Sequence, residues 1–343
     1  MNMAVRKITY IKKNKEKSSQ PIRFYSQLFF SILSIWIGIE FFQFINYVSS
    51  DGINGSNYRP PGVEGYLPIS ALMSLFYFLR TGIIHSIHPA GFFIFLAILA
   101  SSFMVGKSFC SWVCPVGFLS ELIGDFGQKF FLKKQLLPRW LDYPLRSIKY
   151  LILIFFAASI FAMTIGELKS FLDSDYNLIA DIKLFDFFAN ISRFSIIVIS
   201  ALFLLSIFIR NFWCRYLCPY GALLGVIGLL SPVKIRRNQT SCIDCKLCDK
   251  VCGSSIQIST KKSILSDECT SCMQCVDICP VKNTLTTELI KPEIKLNKRF
   301  IGFIMIGLFF IVVISGMISG KWNNHVKAER YIEIYKQKDD IGH

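Results

Sequence analysis

The chain has 343 residues, of which 52% are hydrophobic and only 18% charged, with a mean hydropathy of +0.46. A soluble domain is roughly 45–50% apolar and about 25% charged, so neither a single soluble globule nor a disordered chain fits this composition. The formal charge of +15 would suggest nucleic acid in a soluble protein, but in a membrane protein it reflects basic loops held on the cytoplasmic side, and no nucleic-acid partner is expected.

Residues 1–23 carry seven Lys and Arg, with a run over Lys12–Lys17 that reads as a topology determinant touching anionic lipid. Ser26–Val48 follows, the first of five apolar segments close to the ~20 residues that cross a bilayer. The other four are Pro89–Gly106, Ile148–Ile165, Phe194–Ile209 and Phe300–Ser319. The first is not a cleavable signal, because its basic lead-in and apolar stretch are both too long and no small-residue cleavage site follows. Tyr66–Ile84 is broken by Pro68 and carries Arg80, and Tyr220–Leu230 is too short; both read as re-entrant or interfacial. Segments 1–23, 107–149 and 210–299 together hold 28 Lys and Arg, against 9 in 49–67, 166–193 and the tail after Gly320. Basic loops stay inside, so the N-terminus is expected in the cytoplasm, five helices cross, and the tail is external. The expected layout is a basic cytoplasmic N-terminus (1–23), a membrane domain (24–231), a cytoplasmic module (232–298), a last membrane helix (299–320) and a short tail (321–343). The fold class is a polytopic α-helical membrane protein carrying a small α+β module, placed in a bacterial inner membrane.

All twelve cysteines belong to motifs. Cys242-x2-Cys245-x2-Cys248-x3-Cys252 and Cys269-x2-Cys272-x2-Cys275-x3-Cys279-Pro280 are two runs of the bacterial ferredoxin kind. In such runs three thiolates hold one [4Fe–4S] cluster and the fourth ligates the other. Cluster I is therefore assigned to Cys242, Cys245, Cys248 and Cys279, and cluster II to Cys269, Cys272, Cys275 and Cys252. Zinc and disulfides are the alternatives, but two matching four-Cys runs in a reducing compartment are hard to explain that way. The first run ends Cys252-Gly253 where Pro is usual, which leaves φ unfixed after Cys252.

The other four cysteines form a repeat. Cys110-x3-Cys114-Pro115-x-Gly117 recurs 104 residues later as Cys214-x3-Cys218-Pro219-x-Gly221, and Gly124 maps onto Gly228. The membrane part is read as two parallel-repeat hairpins related by an axis along the membrane normal. Cysteines at i and i+4 share a face of a helical turn. Four thiolates from two such turns could surround a metal, a cluster or a redox disulfide, and the sequence leaves these open. Buried small hydrophobes beside a Pro helix start are the bland alternative.

Paired C-x3-C-P motifs on membrane hairpins, followed by a double-cluster ferredoxin module, resemble the NapH-type membrane iron–sulfur quinol dehydrogenases. They are also similar to the oxidase-maturation polyferredoxins (CcoG/FixG/RdxA-like). The resemblance covers roughly residues 25–320. It implies a quinol dehydrogenase subunit that serves respiratory reductases, with the quinone pool as substrate and a ferredoxin-like subunit, cytochrome or reductase as redox partner. The helix at Phe300–Ser319 departs from a four-span plan and resembles the oxidase-maturation relatives, which handle copper. No C-x-x-C-H haem motif, Rossmann fingerprint or P-loop occurs.

A quinol site needs a titratable group near lipid. The candidates are Glu40 within the first span and Arg80, His85 and His88 around the doubtful segment. Segment Arg59–Gly65 is read as an external cap, and Glu121 and Asp125 as the wet face of a helix. Two function classes follow: electron transfer between quinone and a respiratory partner, or reduction of a metal, copper above all, for oxidase assembly. The lack of Met-rich or His-rich external tracts favours the first.

Overall fold

The computed structural model describes residues 13–14, 19–131, 137–290, 294–338 and 340. Of the basic run Lys12–Lys17, only Lys13 and Asn14 fall within the described residues.

Helix α1 (Ser19–Ser49) is 31 residues long, about 46 Å at 1.5 Å per residue, so it exceeds the hydrocarbon core of roughly 30 Å. A 3-10 turn (Pro61–Tyr66) leads into α2 (Pro68–Thr81), which starts with Pro68 in its first turn and stops at Gly82, φ 71°. Proline suits a first turn and glycine the left-handed stop. The 14 residues of α2 span about 21 Å, too little to cross. Helix α3 (Pro89–Val105) is followed by α4 (Phe109–Trp112) and α5 (Pro115–Phe131). Helix α6 (Arg139–Ala162) precedes three short helices, α7 (Ile165–Leu172), α8 (Asp175–Leu178) and α9 (Ala180–Ala189). Helix α10 (Arg193–Phe208), a π turn (Trp213–Leu217) and α11 (Pro219–Leu229) complete the repeat.

Among the described residues, three helices are long and apolar enough to span: Ser19–Ser49, Trp140–Ala162 and Lys298–Ile318, with α9 and α10, bent by 83°, as a fourth if they act as one. The expected spans at Pro89–Gly106 and Phe194–Ile209 form single helices that fall short of this length. Pro89–Gly106 and Phe194–Ile209 yield helices of 17 and 16 residues, about 24–26 Å long. Helix α3 is nonetheless central, with Ala90, Ala97, Ser101 and Ser102 fully buried; protein, not lipid, covers much of it. Helices α2, α11 and α14 (Lys298–Ile318) all pack against it.

The module has an antiparallel sheet of β1 (Val233–Arg237), β2 (Leu285–Leu289) and β3 (Lys295–Leu296), in that order, with Ile235 opposite Thr287. Helices α12 (Leu247–Val251) and α13 (Gln274–Ile278) pack on each other. One apolar core runs from Phe30, Ile98, Trp112, Leu224 and Met305 into Ile235, Ile258, Ile264, Met273 and Val276 of the module. The module is therefore welded to the membrane bundle. At the opposite end, Phe41, Phe44, Ile45 and Val48 of α1 bury Tyr331 and Ile334 of α15 (Ala328–Lys336), so the expected short tail contains a packed helix.

Candidate functional site

The two ferredoxin runs fold alike. Asp244 and Lys246 in the first, and Ser271 and Met273 in the second, have positive φ between 49° and 60°. All four are non-glycine residues at matching positions, a conformation that persists only where the surroundings fix it. The loops so formed gather Cys242, Cys245, Cys248 and Cys279 around a cavity of about 380 Å³. Cys252, Cys269, Cys272 and Cys275 line a second, open cavity of about 930 Å³. Burial pushes the Cys248 thiol up to about 11 and the Cys269 thiol up to about 12. Such sulfurs keep their protons unless a cation takes the proton's place. Each cavity gathers one complete set of four thiol donors, and no described residue lining the smaller one is a carboxylate; such donors fit an iron–sulfur cluster rather than a hard cation.

Cys110 and Cys214 line the same 930 Å³ cavity as the second cysteine set. The four C-x3-C-P sulfurs interact: Cys114, Cys218 and Cys110 all bear on Cys214. Burial pushes Cys110 up to about 12 and Cys114 up to about 11. The turns carrying them are wider than an α-helical i, i+4 pair. Cys114 N–H donates to Phe109 O at 3.0 Å and Cys218 N–H to Trp213 O at 3.0 Å, π-type bonds at equivalent positions. The following prolines cannot donate and crowd the preceding turn, which widens it. Gly221 N–H then donates to the Cys218 sulfur at 3.3 Å.

The repeated glycines have a steric reason. A Cβ on Gly117 would lie 2.2 Å from Cys110 O, and one on Gly221 would lie 3.2 Å from Cys214 O. A Cβ on Gly124 would meet Arg210 at 2.6 Å, while one on Gly228 would meet Lys107 N at 3.0 Å and Gly106 at 3.3 Å. Gly106 and Arg210 are themselves 104 apart, so the two copies grip each other reciprocally. Helix α5 packs on α10 as α11 packs on α3.

Residues without a sequence signal dock the module. Ser111 Oγ donates to Thr270 O at 2.6 Å and Trp112 Nε1 to Ser271 O at 3.1 Å. The buried pair Lys149–Glu268 and the hydrogen bond from Tyr150 to Asp267 tie α6 to the second cysteine loop. Asp277 accepts from the Gln20 and Ser19 backbone N–H groups at 3.2 Å and pairs with Lys298 at 2.6 Å, a carboxylate at the α1 N-terminus. Lys107 is buried beside Cys110, Cys214, Cys218 and Glu268. These were missed because a lone Lys or Glu between motifs carries no periodicity.

Glu121 is not on a wet face. It accepts from Arg23 at 2.5 and 2.8 Å, from Arg210 at 2.9 Å and from Gln274 at 2.9 Å. Asp125 is half-exposed and pairs with Arg210 at 2.9 Å. Each of the four quinol candidates has a protein partner of its own. Glu40 accepts from Trp36 Nε1 at 3.0 Å on its own helix. Arg80 donates to Met163 O at 3.0 Å and lies over Phe76. His85 pairs with Asp173 at 3.0 Å. His88 is fully buried, with Nε2 at 2.7 Å from Asn177 O and Nδ1 at 3.6 Å from Glu64. Arg59 bridges Glu64 and Asp181, both at 2.8 Å, so Arg59–Gly65 is a buried clasp rather than a loose cap.

A family model described as a 4Fe-4S binding domain matches residues 87–134 and again 193–238, the two repeat copies. A 4Fe-4S dicluster domain matches 234–280. The chain is 43% identical over 323 residues, 93% of its length and 90% of the relative's, to the putative electron transport protein YccM of Escherichia coli. The chain belongs to the NapH-like membrane iron–sulfur polyferredoxin family. It is 30% identical to the ferredoxin-type protein NapH of Haemophilus influenzae over 55% of this chain and 63% of that protein. It is also 29% identical to the regulatory protein NosR of Stutzerimonas stutzeri, over 54% of this chain and 25% of that protein. No solved structure matches. The protein is a membrane iron–sulfur electron-transfer protein that works with redox partners.

Proposed function

We propose that this protein exchanges electrons between the quinone pool and a respiratory redox partner. Cys242, Cys245, Cys248 and Cys279 would hold one [4Fe–4S] cluster, and Cys252, Cys269, Cys272 and Cys275 a second. Cys110, Cys114, Cys214 and Cys218 form one further redox site, holding a metal, a cluster or a disulfide. Bound clusters supply reversible one-electron carriage; the chain's own residues fix where they sit. The observation that carries this reading is the shared cavity: Cys110 and Cys214 line it together with the second cysteine set. The first set lies farther out, and Cys245 is exposed, where a partner protein could reach it. The arrangement supports a path from the membrane end of the repeat to the solvent face of the module. The module and both motifs are placed in the cytoplasm and α15 outside, on the strength of the basic loops, in a bacterial inner membrane.

The test is quinol-dependent reduction of the clusters, followed by EPR in vesicles, for Cys114→Ser, Cys218→Ser and the double variant. Four ligands of one site fail together, so all three should lose reduction equally. Their ferredoxin-type signals should persist on chemical reduction. Multiplying effects would break the shared site. Untouched reduction in all three would remove the motifs from the path and favour the metal-reduction reading.

A further inference from the structure

A third cavity, about 1190 Å³ with its open mouth included, lies where α6 and the end of α10 meet the module. Its lining brings together Arg146, Arg210, Arg215 and Lys261, with Asp142 as the single carboxylate. Asp142 is already saturated: it pairs with Arg146 at 2.5 Å and Arg215 at 2.9 Å and accepts from Tyr216 at 2.6 Å. Arg210 spends a terminal nitrogen on Glu121 and Asp125. The Nε donors of Arg146, Arg210 and Arg215 are buried and have no acceptor among the described residues, while the Arg210 and Arg215 side chains are only 9% and 8% exposed. Buried donors in folded proteins find acceptors, and three incompletely satisfied guanidinium side chains that line one cavity point to an acceptor among them.

We infer that this cavity binds a phosphate-bearing anion, either a lipid headgroup or free phosphate. The cationic excess excludes a neutral guest as the preferred one. Three guanidinium donors and an ammonium offer more hydrogen bonds than the two oxygens of a carboxylate can use, whereas phosphate presents three or four. Basic pockets between membrane helices, at the end where polar domains dock, suit anionic headgroups. The site adjoins the cysteine-lined cavity through Arg210, Arg215, Gly253 and Ser254, so an anion here would brace the joint between bundle and module. This assignment is independent of the quinol reading.

The full chain, delipidated in detergent, is titrated with phosphatidylglycerol, inorganic phosphate and, as the phosphate-free lipid, diacylglycerol. Binding is read by native mass spectrometry and thermal shift. Wild type should bind at least one phosphate probe and not diacylglycerol. Phosphatidylglycerol alone identifies a lipid; competition by inorganic phosphate identifies the free anion. Affinity should fall at least fivefold in both Arg146→Gln and Lys261→Glu. Lys261 is exposed, so its reversal leaves the fold intact and decides the matter where Arg146→Gln fails to assemble. A smaller fall, equal binding of diacylglycerol, or no binding of either phosphate probe overturns the assignment.

Discussion

The two C-x3-C-P copies share their cysteines, prolines, glycines and wide turns, yet they touch different things. In the first copy Ser111 and Trp112 reach the module at Thr270 and Ser271. At the equivalent positions of the second, Arg215 and Tyr216 reach Asp142 of α6. Seven residues after the second cysteine, the first copy has Glu121, tying Arg23 of α1 to Arg210, which follows α10. The second has Gly225, where a Cβ would stand 2.6 Å from Asp267 O of the module. The residues that stay the same build the sulfur site. Those that diverged fasten it to whatever lies on that side, one copy by a charge and the other by an absence of side chain.

The sharpest way to break this comparison is at Glu121. Glu121→Ala takes the paired carboxylate from buried Arg23 and leaves Arg210 only the half-exposed Asp125, and breaking a buried pair from one side costs about 3–5 kcal/mol; denaturant unfolding in nanodiscs should show it. Gly225→Glu should leave stability of the bundle less affected but loosen the module, seen as faster proteolysis after Cys252. If both variants behave alike, the two helices are not specialised.

The glycine of each motif offers the next test. Gly117→Ala forces a Cβ to 2.2 Å from Cys110 O, while Gly221→Ala brings it to only 3.2 Å from Cys214 O. Overpacking costs roughly 1–3 kcal/mol when nothing can move. Gly117→Ala is expected near the top of that range and Gly221→Ala within about 1 kcal/mol of wild type, by thermal unfolding. Equal losses would mean that the turns are equally tight.

A smaller contrast lies in the hydrogen bonds. Trp112→Phe removes a donor to Ser271 O, a hydrogen bond worth about 1 kcal/mol, and Tyr216→Phe removes one to the Asp142 carboxylate, worth about 1.5–3 kcal/mol. Only Trp112→Phe acts on the loop between Cys269 and Cys272, so only it should shift the EPR signal of the inner cluster. A shift in both variants would show that the second copy also reaches the module.

The smallest effect is a pH dependence. Burial alone would raise the Glu121 carboxyl, but Arg23 and Arg210 outweigh it and hold it below its ordinary value of 4.5. A carboxyl lowered by folding stabilises fully above the unfolded value and loses that contribution as pH falls through the folded one. The stability gap between wild type and Glu121→Gln should therefore narrow on acidification below about pH 4.5. A gap that is constant with pH would show that Glu121 is not ionised in the fold.

The sequence by itself determined the parts that depend on spacing and composition. Apolar length marked α1, α6 and α14; four-Cys runs marked the two module loops; and a fixed offset of 104 marked the repeat. These signals are local, or repeat at a set interval, so they survive without coordinates. Tertiary structure decided what depends on which surfaces meet. It shortened α3, because a helix covered by α2, α11 and α14 need not match the bilayer. It moved Glu121 from solvent into a buried bridge, because Arg23 and Arg210 arrive from segments about 90 residues away. It gave Glu40, Arg80, His85 and His88 separate partners, and built the Arg59–Glu64–His88–Asp181 clasp from three distant segments. Charged side chains find partners by position in space, and single residues leave no periodic trace of that in the chain.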